Sequence, residues 1–167
     1  MINRKHAAED IFAVVRQNDL PLLTDLLANG AEVNITDYQG YSPLILATYH
    51  GSVEATRMLL DQGADINYQD ASGNTALMGI CFKGYEDIAD LLLKRGADVN
   101  IRNGNQATAM MYAAMFGHQS LVEKLFRHGA DLQMRDVRGL RAIDLAAQQG
   151  NQAMVDLIQA LQEQARG

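Results

Sequence analysis

Apolar residues fall along the chain in alternating short and long runs. Ser42-Pro43-Leu44-Ile45-Leu46-Ala47 is a short run, and Val53 to Leu60 is the longer one that follows it. This switching predicts two helices per unit. Successive pairs are joined by polar links such as Asp65-Ile66-Asn67-Tyr68-Gln69-Asp70-Ala71-Ser72-Gly73, whose two apolar positions predict an extended, hairpin-like loop. The whole arrangement repeats. Gly-Ala stands at Gly30-Ala31, Gly63-Ala64, Gly96-Ala97 and Gly129-Ala130, each 33 residues after the last. Gly51, Gly84, Gly117 and Gly150 keep the same spacing, as do Gly40, Gly73 and Gly139, with Gln106 in the remaining glycine place.

These markers set the helix ends. Ser42, Thr75 and Thr108 open the first helix of their units, where a hydroxyl satisfies backbone N–H groups that lack a helical partner. Pro43 follows at a position that needs no amide proton. Gly51, Gly84, Gly117 and Gly150 close the first helices, and Gly30, Gly63, Gly96 and Gly129 the second, because glycine adopts a left-handed backbone at low cost.

The stretches Ser42-Pro43-Leu44, Thr75-Ala76-Leu77, Gly117-His118 and Gly96-Ala97-Asp98-Val99-Asn100 together make a pattern that resembles the ankyrin repeat, from about Asp10 to about Leu161. The family motif runs Thr-Pro-Leu-His-x-Ala, Gly-His, Leu-Leu, then Gly-Ala-Asp-Val-Asn. The resemblance implies an all-α solenoid of stacked helix-turn-helix units with hairpin-like loops. Its units would be an N-terminal cap over 1–36, full repeats over 37–69, 70–102 and 103–135, and a C-terminal cap over 136–167. Terminal units need a polar outer side, and Gln159 takes the place held by Leu60, Leu93 and Phe126. Gln162 to Gly167 are expected to fray. By the same resemblance Asn34, Asn67 and Asn100 hold the loops through side-chain hydrogen bonds. The motif histidine is replaced by Ile45, Met78, Met111 and Asp144, so its hydrogen bonding is not carried over.

Composition narrows the function. An apolar fraction of 48% suits a folded chain, and 14 Lys and Arg against 20 Asp and Glu give a net charge of −6, which disfavours a general nucleic-acid binder. Cys81 is the only cysteine, so neither an internal disulfide nor a cysteine zinc cluster is expected, and the cytoplasm is the expected compartment. Met1 to Asp10 lack the apolar run of a secretion signal, and no stretch approaches the roughly 18 apolar residues of a membrane span. His6, His50, His118 and His128 show no helical pairing with a carboxylate that would hold zinc. The dispersed glycines cannot cradle a phosphate. Cys81 reads as a buried, inert thiol, His118 as structural, and most of the eight methionines as core filler. No catalytic, cofactor-binding or metal-binding residue is nominated, and no cofactor is expected.

The resemblance also implies a concave face built from loop tips and the exposed side of the first helices. Mapped repeat by repeat, its candidate contact residues are Tyr38, Tyr41, Tyr49, His50, Phe82, Lys83, Arg102, Met115, Phe116, Arg135 and Arg138. No acid falls among the mapped positions, whereas Glu54, Asp61, Glu86, Asp87, Asp90 and Asp156 fall on the second helices at the back. Aromatics and arginine dominate binding energy at protein interfaces. The expected function is therefore non-catalytic binding of another protein, by a monomer, as inhibitor, regulator or scaffold. The expected partner presents an acidic or polar segment with apolar anchors. An immunity-type inhibitor of a toxin, and a small-molecule binder or enzyme, are the alternatives. Padding of the groove between units by Tyr49, Phe82 and Met115 also stays open.

Overall fold

Hydroxyl caps and left-handed glycines cut the chain into short helices. The computed structural model describes the backbone of residues 4–167 and side chains from Ile11 onward. Met1 to Asn3 and the side chain of His6 lie outside the described residues, and with them the reading of the chain start. Among the described residues there are ten helices and no strand. They are α1 (Arg4–Gln17), α2 (Leu20–Ala28), α3 (Pro43–Tyr49), α4 (Val53–Asp61), α5 (Ala76–Lys83), α6 (Glu86–Lys94), α7 (Ala109–Met115), α8 (Gln119–Arg127), α9 (Ala142–Gln148) and α10 (Gln152–Arg166).

Ser42, Thr75 and Thr108 cap α3, α5 and α7 by accepting from the amides of Ile45, Met78 and Met111. The glycines that follow the helices all have positive φ, +76° at Gly51 and +82° at Gly63 for example. Asn18 takes the equivalent place after α1 with φ 53°, and Gln106 holds the glycine place in its turn with φ 59°. Asparagine tolerates that conformation through local hydrogen bonding. For Gln106 the turn itself supplies the constraint, since its amide donates to Asn103 O at 2.8 Å.

The helices stack in two rows. α1, α3, α5, α7 and α9 pack successively as an inner row, and α2, α4, α6, α8 and α10 as an outer row. The core lies between the rows, where Leu44, Leu77 and Met110 of the inner row and Leu59, Leu92 and Leu125 of the outer row are fully buried. Each unit buries its apolar face only against its neighbours, so the fold is a one-dimensional stack.

Contacts between units recur with the repeat. Asn34 Oδ1 accepts from the Asp65 amide at 2.7 Å, Asn67 Oδ1 from Asp98 at 2.9 Å, and Asn100 Oδ1 from Asp131 at 2.8 Å. Asn34 and Asn100 also donate to Gly63 O and Gly129 O. Tyr85 and His118 begin α6 and α8 without a side-chain cap, and their rings lie against Gly51 and Gly84 of the preceding unit. At the C-terminal end Gln159 is exposed where Leu93 is buried. There α10 is helical to Arg166, with Glu163 to Gly167 exposed. Ile158 and Leu161 are buried and anchor it, and Gln, Glu, Ala and Arg are good helix formers.

Candidate functional site

Each inner helix is preceded by a tight turn whose geometry one side chain sets. Asp37 Oδ1 accepts from the amides of Gln39 and Tyr41, Asp70 Oδ1 from Ser72 and Asn74, Asn103 Oδ1 from Asn105 and Ala107, and Asp136 Oδ1 from Arg138 and Leu140, all between 2.8 and 3.0 Å. Such local bonds hold a turn without a ladder of strands. The turns stand beside the inner helices and leave a groove of about 490 Å³ between them, lined by Tyr41, Tyr49, His50 and Phe82 among others. A smaller depression of about 280 Å³ lies further along, lined by Met115 and Arg138.

The last turns of the inner helices carry a diagonal stripe. Lys83 Nζ sits 4.2 Å from the centre of the Tyr49 ring, a cation–π contact. One unit along, the Phe82 and Phe116 rings meet edge to face at 4.7 Å. His50 stands edge-on to Tyr49 at 6.0 Å. The three aromatics of the stripe remain 47%, 43% and 44% exposed at Tyr49, Phe82 and Phe116, so their mutual packing leaves nearly half of each ring available. Met115 is half-buried. Tyr38 stands alone at its turn tip, 92% exposed.

The arginines are engaged within the fold. Arg102 donates to Arg135 O at 2.6 Å and Arg135 to Gly139 O at 2.7 Å, repeating the bonds of Gln69 to Arg102 O and Gly73 O. Arg138 pairs with Asp136 at 2.9 Å. Arg102 thus ties consecutive turns together and Arg135 braces its own turn, both keeping their charge, whereas the charge of Arg138 is largely matched.

One expectation needs correcting. The face read as free of acids includes Asp70, which lines the larger groove. Its position in the turn fits a structural role, and Oδ1 performs that role, but the residue still faces the groove. Sequence reading also passed over Arg16, Gly79 and Tyr112 in the same lining. Gly79 holds the place of Leu46, Tyr112 and Leu145 in the other units, so the missing side chain opens the groove at α5; that signal was present in the repeat alignment. Tyr112 hydroxyl accepts from Asn103 Nδ2 at 3.0 Å, a contact between residues that spacing alone does not reveal.

The back of the molecule is acidic and cross-linked between units. Asp61 pairs with Arg95 at 2.6 Å, and Lys124 reaches Glu86 at 3.2 Å and Asp90 at 2.9 Å. Hydrogen bonds from Ser120 and Lys124 hold the Glu86 carboxyl below its ordinary range. Cys81 is fully buried, and desolvation pushes its thiol far above the usual cysteine range. It is inert as a nucleophile in the folded protein. His118 Nε2 lies 3.3 Å from Phe82 O, a structural contact between units. Among the described residues no group of three His, Cys, Asp or Glu is placed to hold a metal ion, and no helix is long and apolar enough to cross a membrane.

Comparison with curated proteins finds no match. Comparison with protein families finds ankyrin repeats in three copies over residues 11–103, and ankyrin repeats in many copies over residues 92–146. The two matches together run from Ile11 in α1 to Ala146 in α9, and the chain belongs to the ankyrin-repeat family.

Proposed function

We propose that this protein is a non-catalytic binding module that grips a partner protein across the aromatic stripe and the adjoining groove. Ankyrin repeats are generally protein–protein interaction modules, and the family is typically non-catalytic. The observation that carries the reading here is the exposed set Tyr49, Phe82 and Phe116, with Lys83 against the Tyr49 ring and the Phe82 and Phe116 rings in contact. Aromatic rings offer large contact area at little entropic cost, and their half-exposure beside cations is the make-up of an interface hot spot. Tyr38, Tyr41, His50, Met115 and Arg138 complete the surface. The rim cations favour a partner with acidic or polar groups around apolar anchors. Inhibition, regulation or scaffolding would each follow from occupying a partner in this way, as a monomer in the cytoplasm.

The test is affinity capture from the source cells with mass spectrometry, comparing wild type with a Tyr49→Ala, Phe82→Ala, Phe116→Ala triple variant whose fold is verified by circular dichroism. Binding of one partner should weaken by about 2 kcal/mol or more if the stripe contains a hot spot. A folded triple variant that captures every partner as well as wild type refutes the assignment. The groove gives the small-molecule alternative its one foothold, and a thermal-shift screen against metabolites addresses it.

A further inference from the structure

The four turn-closing residues differ in what their second side-chain atom does. Asp37 Oδ2 pairs with the Arg16 guanidinium, and its side chain is 4% exposed. Asp136 Oδ2 accepts from Arg138 Nε at 3.1 Å and Nη2 at 2.9 Å, and its side chain is 6% exposed. Asn103, at the same position, donates through Nδ2 to Asn74 Oδ1 at 2.8 Å and to Tyr112. Of these four side chains, only that of Asp70 has a second atom, Oδ2, with no partner among the described residues, and of the four only Asp70 lines the larger groove. The fold thus places a guanidinium on the outer oxygen of this carboxylate in two units and leaves the third open.

We propose that the groove at Asp70 is a recognition pocket for an arginine side chain presented by the partner. The statement deepens the reading of the aromatic face as a partner-binding surface and rests on it. Three features fit a guanidinium. Asp70 Oδ1 is already engaged by two backbone amides, which holds the carboxylate in place at the groove and leaves Oδ2 without a partner. Tyr41, Tyr49, Phe82 and Tyr112 line the same groove, and a planar, weakly hydrated guanidinium stacks on aromatic faces where an ammonium prefers water. Gly79 leaves open the space that Leu46 and Leu145 fill in their units, and a Cβ built there meets nothing within 4 Å. The partner segment would then carry an arginine into the groove and an acidic group toward Lys83, which sits over the Tyr49 ring.

The sequence supplies its own control. Asn103 shows that asparagine at this position accepts the same two turn amides, at 2.9 Å each, so Asp70→Asn removes the charge and keeps the turn. The experiment is an amide-resolved NMR titration at fixed salt with three five-residue peptides, identical except for a central arginine, citrulline or lysine. Citrulline keeps the shape of arginine and loses the charge. The arginine peptide should perturb the amides of Ser72, Asn74, Gly79 and Tyr112, the lysine peptide more weakly and the citrulline peptide least. Asp70→Asn should weaken the arginine peptide by about tenfold or more, the usual effect of losing a charge-assisted hydrogen bond. Asp90→Asn on the outer row should leave it unchanged, which separates the pocket from general attraction to an acidic protein.

Equal shifts from the arginine and citrulline peptides, or equal effects of the two substitutions, overturn the proposal, and the peptide comparison on wild type decides it even if a variant folds poorly. If the arginine peptide fails while the Tyr49, Phe82 and Phe116 triple variant still loses its partner, the pocket is wrong and the binding face stands. If the peptide binds through Asp70 but the triple variant keeps its partner, the partner does not use this groove, and the proposal falls together with the stripe.

Discussion

Gly79 and Gly63 offer a paired perturbation in which the same chemical change should act in opposite directions. Gly79 lies inside α5, its amide donating to Thr75 O at 3.2 Å, and a methyl group there would meet no atom within 4 Å. Alanine at such a site loses less backbone entropy on folding than glycine, so Gly79→Ala should stabilise the protein by about 0.5–1 kcal/mol. Gly63 is equally unhindered, but its φ is +82°. There the left-handed backbone brings Cβ against the following carbonyl at about 1–2 kcal/mol, which outweighs the entropy gain and leaves Gly63→Ala destabilising by roughly 1 kcal/mol. Urea unfolding followed by circular dichroism reads both, and the slope must stay constant for the midpoint to report stability alone, because cooperativity in repeat arrays can break down. In thermal melts the expected shifts are a few degrees in opposite senses. A Gly79→Ala protein no more stable than wild type would refute the claim that glycine inside α5 costs stability. Shifts of the same sign at both sites would refute the conformational argument.

Three further outcomes follow from the contacts. Asn100→Ala removes the bonds to the Asp131 amide and Gly129 O and should cost about 1–2 kcal/mol in urea unfolding; Gln133→Ala, at the equivalent place one unit on, should be nearly neutral because its side chain only accepts a long bond from Arg141 at 3.4 Å. Cys81 should resist a thiol reagent such as dithionitrobenzoate in the native protein and react stoichiometrically in urea, so prompt native reaction would show that the inner row opens readily. Asp144 is held below the ordinary carboxylate range by hydrogen bonds from Arg141. A carboxylate depressed in the folded state contributes stability that is present above the unfolded pKa and lost as pH falls through the folded one. Acid should therefore loosen α9 first, visible as lowered hydrogen-exchange protection near its start, and Asp144→Asn should flatten that dependence.

The repeat was legible because it is written in residues with narrow backbone requirements. A glycine that must take positive φ, and a hydroxyl that must cap a helix, leave little choice of residue, so 33-residue spacing alone located the helix ends. The candidate face was half legible. Tyr49, Phe82 and Phe116 could be placed from their register, since one period later in sequence is one unit along in space. Their partnerships were not, because the contacts run diagonally, from Tyr49 to Lys83 and from Phe82 to Phe116, a step longer than the period. The roles of Arg102 and Arg135 were also hidden, because their bonds go to backbone carbonyls that carry no sequence signature.

Asp70 shows where the division falls. Local chemistry determined from sequence alone that the chain resembles an ankyrin array and that its first helices are capped by hydroxyl side chains and closed by glycine, since these depend on neighbours a few residues away. Tertiary structure decided which of the equivalent turn carboxylates keeps a free oxygen, because Arg16 on α1 covers Asp37 and Arg138 folds back on Asp136 while no described side chain reaches Asp70. It likewise decided that the absent side chain of Gly79 becomes open space beside aromatic rings. A repeat sequence makes positions equivalent, and only packing against different neighbours makes one of them different.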